Sequence, residues 1–268
     1  MRKATSLTLF LIIFLNVCLG QLNTDPLIIG EKFELYSKYN NTNYTISVCL
    51  PNGYGNDTVE YPCIYLFYGR DAKFLAASGI ITSMSDATWQ IPRMIIVGVT
   101  NIQWQRDLTP VPIEGRENCG GAKEFLSFVT KDLFPSIDSN YRTTDNRIYL
   151  GHSFGGLFGI YSFIEDPEYF DDFILISPSI AQRADYIEEA FEQKIVNSNN
   201  LSNKFYLSSG SEGARMSKSI LWLQEGLESK SHENVKLKFE LFEGHNHHTH
   251  TQASIMNGLL FIYDQNKD

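Results

Sequence analysis

The chain has few basic residues and no cluster of them. Its 268 residues include 22 Lys and Arg against 31 Asp and Glu, which gives a formal net charge of −9 at pH 7. Binding to nucleic acid or to an anionic membrane surface needs concentrated positive charge, so this composition argues against both kinds of partner. Hydrophobic residues make up 43% of the chain and charged residues 20%. These proportions exclude a disordered, collagen-like or coiled-coil chain.

Long hydrophobic runs are also scarce, and the one that stands out is at the N-terminus. Arg2 and Lys3 precede an apolar run at Leu7–Leu15, and Cys18 and Gly20 occupy the −3 and −1 positions of a cleavage site. This pattern is typical of a secretory signal peptide, and the run is shorter than the ~20 residues that span a bilayer. We therefore predict that the first twenty residues are a signal peptide and that the mature chain is exported, to the periplasm or the extracellular space, without stable membrane insertion.

Cysteine is rare, with four residues in the chain. Cleavage just before Cys18 would anchor the chain as a lipoprotein, an alternative that Asn16 and Val17 disfavour. The predicted mature chain keeps three cysteines: Cys49, Cys63 and Cys119. An odd number permits at most one disulfide within the chain, so a disulfide framework is not expected.

Apolar runs and helical patterns alternate along the chain. Seven runs are predicted as strands: Thr45–Leu50, Cys63–Tyr68, Met94–Val99, Arg147–Gly151, Phe173–Ser177, Lys204–Ser209 and Lys236–Phe242. Four segments have apolar residues at helical spacing: Ala122–Ile137, Leu157–Ile164, Ser217–Leu227 and Ala253–Tyr263. This alternation predicts an α/β fold with a mostly parallel sheet covered on both faces. Two domains would fit the length, but no linker is visible, so we predict a single domain over residues 21–268.

A short glycine-rich motif carries the first indication of chemistry. Residues 151–155 read Gly-His-Ser-Phe-Gly, directly after a predicted strand and before a predicted helix. In this context a G-x-S-x-G motif forms a sharp turn that exposes the serine hydroxyl, so Ser153 is the candidate nucleophile. The alternative is a glycine-rich turn without chemistry, which the strand and helix on either side disfavour.

A serine nucleophile needs a general base, and the base is expected after the last strand. Four histidines follow that strand: His245, His247, His248 and His250. Clustered histidines can also bind zinc, so a metal site is the rival interpretation, although so short a loop rarely supplies a complete tetrahedral ligand set. Those that are not the base are expected to be solvated loop residues.

The acid of the triad is expected after the strand that precedes the last one. Glu212 follows the predicted strand Lys204–Ser209 and is the candidate that would orient the imidazole. A solvated loop glutamate is the alternative. Asp185 is a weaker candidate because it lies one strand too early.

Several segments resemble the esterase branch of the α/β-hydrolase superfamily, which includes enterochelin-type ferric-siderophore esterases and esterase D. The resemblance extends over roughly residues 30–265 and rests on Tyr61–Gly69, Val97–Asn101, Arg106–Pro110, Gly120–Leu126, Tyr141–Gly156 and Ser177–Ile180. It implies an α/β-hydrolase fold with a mostly parallel sheet of about eight strands. It also implies a serine esterase that needs neither a metal nor an organic cofactor.

The resemblance also selects among the candidate site residues. The match of Asn246–Thr249 and Asn257–Ile262 to the end of the family's sequences makes His247 the base, with His245 and His248 in reserve. The oxyanion hole would use two backbone N–H groups. One is the N–H after the nucleophile, at Phe154, and the resemblance puts the other at Arg70.

The substrate is expected to be a small-molecule ester, and its identity stays open. Arg106 and Trp104 are candidate substrate contacts. Arg70, Arg106 and Arg116 could face an anionic substrate such as a ferric catecholate trilactone, because a guanidinium pairs well with anionic oxygens. The alternative for Arg106 is a structural pair with a nearby carboxylate. Esters of plant-wall components or sugars, acyl transfer to an alcohol, and a binding module on an inactive hydrolase scaffold are the other functions that this sequence permits.

Overall fold

One eight-stranded sheet organises the chain. The structure is a computed structural model that describes residues 27–67, 69–195, 198, 201–229 and 234–264, so the predicted signal peptide lies outside the described residues. The strands are β1 (Glu31–Ser37), β2 (Thr42–Cys49), β3 (Tyr61–Leu66), β4 (Ile95–Val99), β5 (Thr143–His152), β6 (Asp172–Ile176), β7 (Lys204–Gly210) and β8 (Lys236–Phe242). They are ordered β1-β2-β4-β3-β5-β6-β7-β8. The pairs β1–β2 and β2–β4 are antiparallel and all other pairs are parallel.

Helices cover both faces of this sheet. They are α1 (Asp71–Thr82), α2 (Trp104–Asp107), α3 (Ala122–Phe128), α4 (Phe134–Asn140), α5 (Phe154–Glu165), α6 (Ala184–Lys194), α7 (Ala214–Glu228) and α8 (Thr251–Tyr263). A π-helical turn, Val129–Leu133, joins α3 to α4, and another, Ser83–Ala87, extends α1. No helix in the described part of the chain is both long enough and apolar enough to cross a bilayer.

The core consists of two layers, one on each face. Helices α3, α5, α6 and α7 pack on one face, where Phe125, Phe158 and Leu223 are fully buried. Helices α1 and α8 pack on the other, through residues such as Phe74 and Leu259. Burial on both faces explains why the central strands are nearly continuous apolar runs. Cys49 and Cys63 lie buried in strands β2 and β3 as free thiols.

The predicted strands and helices all occur, but four elements were missed: β1, α1, α6 and the four-residue helix α2. Strand β1 is an antiparallel edge strand in which half-buried Phe33 and Leu35 alternate with exposed polar residues, so it contains no apolar run. Helix α1 buries Ala77 and Ser78 beside two larger residues, and α6 also buries a small residue, Ala190. Small or polar residues on a buried face weaken the helical pattern of hydrophobicity.

The parallel strands bring several loops to one edge of the sheet. Ser153 follows β5, Ser177 follows β6, Glu212 follows β7 and His247 lies in the turn between β8 and α8. Because parallel strands end at the same edge, residues that are far apart in the sequence meet there.

Candidate active site

Ser153 occupies a sharp turn between β5 and α5. Its backbone has φ 60° and ψ −118°, a conformation that is uncommon for a residue with a side chain and is frequent at functional sites. The flanking glycines are required by close backbone contacts. A Cβ atom at Gly151 would lie 2.4 Å from the carbonyl oxygen of Gly155, and one at Gly155 would lie 2.6 Å from that of Phe67. The turn therefore presents the serine hydroxyl beyond the end of the strand.

Ser153, His247 and Glu212 form a hydrogen-bonded series. The Oγ atom of Ser153 lies 2.9 Å from Nε2 of His247, and Nδ1 of the same ring lies 3.1 Å from Oε2 of Glu212. A carboxylate only accepts hydrogen bonds, so the ring carries its proton on Nδ1 and leaves Nε2 to accept from the serine hydroxyl. The structure thus brings together the three residues that the sequence singled out as nucleophile, base and acid. Asp185, the weaker candidate for the acid, lies exposed in the first turn of α6.

The carboxyl group of Glu212 is held in its ionised form. Its side chain is only 5% exposed. Burial works against ionisation, but hydrogen bonds from His247 and Ser177 outweigh it, so the pKa of this carboxyl lies below its usual value. Ser177 Oγ donates to Oε1, the oxygen that does not face His247. Both carboxylate oxygens of Glu212 therefore have a partner.

A second serine also contacts the nucleophile. The Oγ atom of Ser179 lies 3.0 Å from Oγ of Ser153, and the N–H of Ser179 donates to the carbonyl oxygen of Ser153 at 2.9 Å. Ser179 is buried and, like Ser177, follows β6. The resemblance pointed to this segment without giving either serine a role.

His152 and Lys73 are neighbours of the candidate triad that the sequence interpretation missed. His152 Nε2 lies 2.7 Å from the backbone carbonyl oxygen of His247, and its Nδ1 lies 3.4 Å from Nζ of Lys73. Burial, opposed by the bond to the His247 carbonyl, lowers the pKa of His152 to about 3. The neutral ring therefore donates from Nε2 and accepts at Nδ1. The sequence feature that could have indicated His152 is its position directly before Ser153 in the glycine-rich motif.

The remaining histidines of the β8–α8 loop differ from one another. His245 and His248 are exposed, as expected for solvated loop residues. His250 is fully buried, so that expectation is wrong for it. It bonds Ser177 and Ser254 and stacks on Phe242.

The loop does not gather its four histidines into one metal site. Among the described residues, one group has ligand atoms close enough for a metal ion, namely His152, His247 and His248, within 4.8 Å of one another. In this arrangement both ring nitrogens of His152 already contact other groups, one of them the Lys73 ammonium. A metal ion there would have to displace a positive charge.

The two expected oxyanion donors lie at helix starts. Phe154 is the first residue of α5, so its N–H has no acceptor within the helix. Arg70 is the residue before α1 and has extended backbone. The segments approach each other where Phe67, after β3, meets Gly155.

The two candidate substrate contacts have different surroundings. The Trp104 ring is 46% exposed, and its centroid lies 4.8 Å from that of Phe154. Arg106 makes two hydrogen bonds to fully buried Asp107, at 2.6 and 3.1 Å, and one to Tyr44. These contacts favour the structural alternative for Arg106.

Comparison with known proteins identifies related esterases. A family model described as "Putative esterase" matches residues 37–258. Ferri-bacillibactin esterase BesA of Bacillus subtilis is 27% identical over 234 residues, which cover 75% of this chain and 78% of the relative. A siderophore enterobactin esterase of Emericella nidulans is 36% identical over 88 residues, or 28% of this chain and 29% of that protein.

Solved structures share the fold over nearly the whole described chain. An IroE-like serine hydrolase from Shewanella oneidensis matches with a TM-score of 0.82 at 22% identity, covering 88% of this chain and 80% of the other. The BES protein from Bacillus cereus matches with a TM-score of 0.79 at 27% identity, covering 90% and 98%. With the eight-stranded sheet, these matches confirm the predicted α/β-hydrolase fold.

Proposed function

The chain belongs to the "Putative esterase" family and is a carboxylic ester hydrolase, and we propose that it works through a triad of Ser153, His247 and Glu212. The family match extends over most of the chain and confirms the resemblance that the motifs indicated. One observation carries the proposed mechanism. The serine hydroxyl, both imidazole nitrogens and a buried carboxylate are joined by hydrogen bonds of 2.9 and 3.1 Å.

The first half-reaction acylates the serine. As Ser153 Oγ bonds to the ester carbonyl carbon, its proton passes to Nε2 of His247. The resulting imidazolium donates from Nδ1 to the carboxylate of Glu212, which stabilises the new charge. Nε2 then returns the proton to the departing alkoxide, so an alcohol leaves and the acyl group stays on the serine.

The negative charge that develops on the carbonyl oxygen needs fixed donors. We assign this role to the backbone N–H groups of Phe154 and Arg70. Phe154 is the first residue of α5, and Arg70 is the residue before α1. The dipole of α5 adds positive potential at the same point. Water then attacks the acyl carbon as its proton passes to Nε2 of His247. The bond between the acyl carbon and Ser153 Oγ breaks, Nε2 returns the proton to Oγ, and the carboxylic acid leaves.

The proposed substrate is an ester of a siderophore, such as a trilactone. The relative BesA is named as a ferri-bacillibactin esterase, and the matched segment of the fungal relative belongs to a siderophore enterobactin esterase. The local charge supports an anionic substrate. Lys73 lies against His152, and Arg70 is exposed on the neighbouring loop. Positive potential from these two side chains would attract a ferric catecholate despite the net negative charge of the chain.

The place of action follows from the N-terminal pattern. We propose that the chain is exported after cleavage of the signal peptide predicted at residues 1–20. Mass spectrometry of the protein purified from its host would show a mature N-terminus at Gln21. A lipid-modified N-terminus at Cys18 would contradict soluble export.

Substitution of the nucleophile tests the mechanism. The Ser153→Ala variant is expected to lose hydrolysis of a p-nitrophenyl ester and labelling by a fluorophosphonate probe. Ser162→Ala is the matched control, because it removes a serine hydroxyl from α5 itself. In the described contacts, that hydroxyl donates only to the carbonyl oxygen of Gly159. Full activity in Ser153→Ala would contradict the triad. A wild-type protein that neither hydrolyses esters nor takes the probe would favour a binding module.

A hydrolysis panel tests the substrate. It contains a triscatecholate trilactone with and without bound iron, feruloyl and acetyl sugars, and short p-nitrophenyl esters. The highest kcat/KM is expected for the trilactone. A higher value for the feruloyl or acetyl sugars would replace the siderophore assignment. Formation of a new ester in the presence of an added alcohol would identify acyl transfer.

A further inference from the structure

A buried line of polar side chains extends behind the triad acid. It begins at Glu212, whose Oε1 bonds Ser177 Oγ, and continues to Nε2 of His250 at 2.9 Å. On the other side of the ring, Nδ1 lies 2.8 Å from Ser254 Oγ, which lies 3.0 Å from Ser208 Oγ. The three serines and the histidine are all 0% exposed. Solvent therefore does not satisfy these groups, and each depends on the next.

The number of protons fixes the direction of every bond in this line. An ionised carboxylate has no proton to give, so the single hydroxyl proton of Ser177 goes to Glu212. The oxygen of Ser177 is then free to accept from the Nε2–H of His250. A neutral ring with its proton on Nε2 must accept at Nδ1, which the Ser254 hydroxyl satisfies. Ser208 in turn donates to Ser254.

His250 is kept neutral by its surroundings. Its ring stacks on Phe242, with centroids 5.1 Å apart. Burial lowers the pKa of His250, although the Glu212 carboxylate opposes the shift. A neutral imidazole has one donor and one acceptor, which are the two functions that the line requires.

Two backbone features tie this line to the triad. Ser177 has φ 43°, an uncommon value for a residue with a side chain, while its N–H donates to the carbonyl oxygen of Ser208 at 2.8 Å. His250 immediately precedes α8 and follows His247 by three residues in the same turn. The candidate base, His247, and His250 thus lie on one short segment.

We propose that His250 is a positioning residue, which acts through Ser177 to fix the Glu212 carboxylate so that Oε2 faces His247. This role rests on the proposed function for its effect on turnover. A carboxylate with one oxygen bound can rotate about its terminal bond. With Ser177 on Oε1, rotation would break a charge-assisted hydrogen bond in a buried site, so the orientation toward Nδ1 of His247 is kept.

Kinetic measurements on four variants test the proposal. Ser177→Ala removes the donor to Glu212, His250→Leu removes the ring, and His250→Gln keeps an N–H that reaches Ser177. Ser177→Ala is expected to lower kcat by about 10- to 100-fold with little change in KM, because the hydrogen bond to the charged Glu212 is lost. His250→Leu is expected to lower kcat in the same way, because Ser177 loses the Nε2–H donor that orients its hydroxyl toward Glu212. His250→Gln is expected to recover part of the loss. Ser162→Ala, the buried hydroxyl of α5, is expected to leave kcat unchanged. Thermal unfolding of each variant checks that it is folded.

Nitrogen-15 NMR of the histidine rings tests the proton arrangement independently of enzymatic activity. Ser254→Ala is the variant for this measurement, because it changes the partner of His250 that does not contact Glu212. In the wild-type protein His250 is expected as the neutral Nε2–H tautomer, and in Ser254→Ala its Nδ1 resonance is expected to shift. An Nδ1–H tautomer or a charged ring would overturn the proposal.

The kinetic arm separates this proposal from the triad itself. Unchanged kcat in Ser177→Ala and His250→Leu, with inactive Ser153→Ala, would overturn the positioning role and leave the triad standing. Activity in Ser153→Ala would reveal a failure of the triad before any other variant is measured.

Discussion

The Nε2 atom of His152 lies 2.7 Å from the backbone carbonyl oxygen of His247, so the residue before the candidate nucleophile holds the loop of the candidate base. The ring of His152 also packs against that of His247, with centroids 4.7 Å apart. The serine and the histidine are 94 positions apart in the chain. This contact joins the turn after β5 to the loop after β8 independently of the bond between the two candidate catalytic side chains.

The low pKa of His152 predicts a loss of stability in acid. The folded state keeps this ring neutral down to a pH of about 3, whereas the unfolded chain takes up a proton below its ordinary pKa. Stability from the neutral ring is therefore present above pH ~6.5 and is lost as the pH falls below it. Between pH 7 and pH 5 the free energy of unfolding should fall by about 2 kcal/mol more in the wild type than in His152→Gln. Denaturant unfolding at both pH values measures this difference.

His245→Gln is the matched control for that experiment. His245 is on the same loop but its side chain is exposed. Its substitution is expected to leave the pH dependence of unfolding close to that of the wild type. Equal pH dependence in His152→Gln and the wild type would show that the pKa of His152 is not lowered in the folded protein.

Glu212→Gln is expected to lower kcat by about 10²- to 10⁴-fold while the protein stays folded. A glutamine keeps the shape of the side chain but not the charge that would stabilise the His247 imidazolium. Glu243→Gln, in the exposed turn after β8, is the control with the same chemical change. Steady-state kinetics on a p-nitrophenyl ester compares the two. A similar kcat in both variants would remove Glu212 from the triad.

The sequence predicted most of the sheet because burial on both faces leaves a direct mark on composition. Strands β3 to β7 are nearly continuous apolar runs, and all were found within a few residues of their bounds. Strand β1 alternates half-buried and exposed residues at an antiparallel edge, so the same criterion missed it. Helix α1 was missed because Ala77 and Ser78 belong to its buried face.

The candidate site was predictable as far as chain order determines it. Ser153, Glu212 and His247 each follow a later strand in the expected order, and the structure brings them within hydrogen-bonding distance. The burial of His250 was not predictable, because its partner Ser177 follows β6 and becomes its neighbour only when the sheet forms, whereas Ser254 lies one helical turn away along the chain. A loop of four histidines does not reveal which of them points inward.

Gly155→Ala is expected to damage the turn at Ser153. The added Cβ would lie 2.6 Å from the backbone carbonyl oxygen of Phe67, which belongs to a buried segment and has little room to move. Overpacking of this kind costs about 1–3 kcal/mol. The free energy of unfolding should fall by that amount, and fluorophosphonate labelling of Ser153 should be lost.

Gly79→Ala provides the opposite outcome from the same chemical change. Gly79 is exposed within α1, and a Cβ there would meet no atom within 4 Å. Alanine is the better helix former, so the free energy of unfolding should rise by about 0.5–1 kcal/mol with labelling unchanged. Equal effects of the two substitutions would show that the contact with Phe67 does not restrict the turn.

Trp104→Ala tests whether the exposed indole next to Phe154 contacts the substrate. The ring is 46% exposed and lies beside the residue after the nucleophile, so its loss should weaken substrate binding more than it weakens the chemical step. For an aromatic or catecholate ester, KM should rise about three- to ten-fold with little change in kcat.

Trp89→Ala is the matched control. Trp89 is 83% exposed and lines a groove with Lys204 and Lys236, the first residues of β7 and β8, at the edge of the sheet opposite to Ser153. The control should leave both constants unchanged. A KM that moves equally in the two variants, or a fall confined to kcat in Trp104→Ala, would exclude Trp104 as a substrate contact.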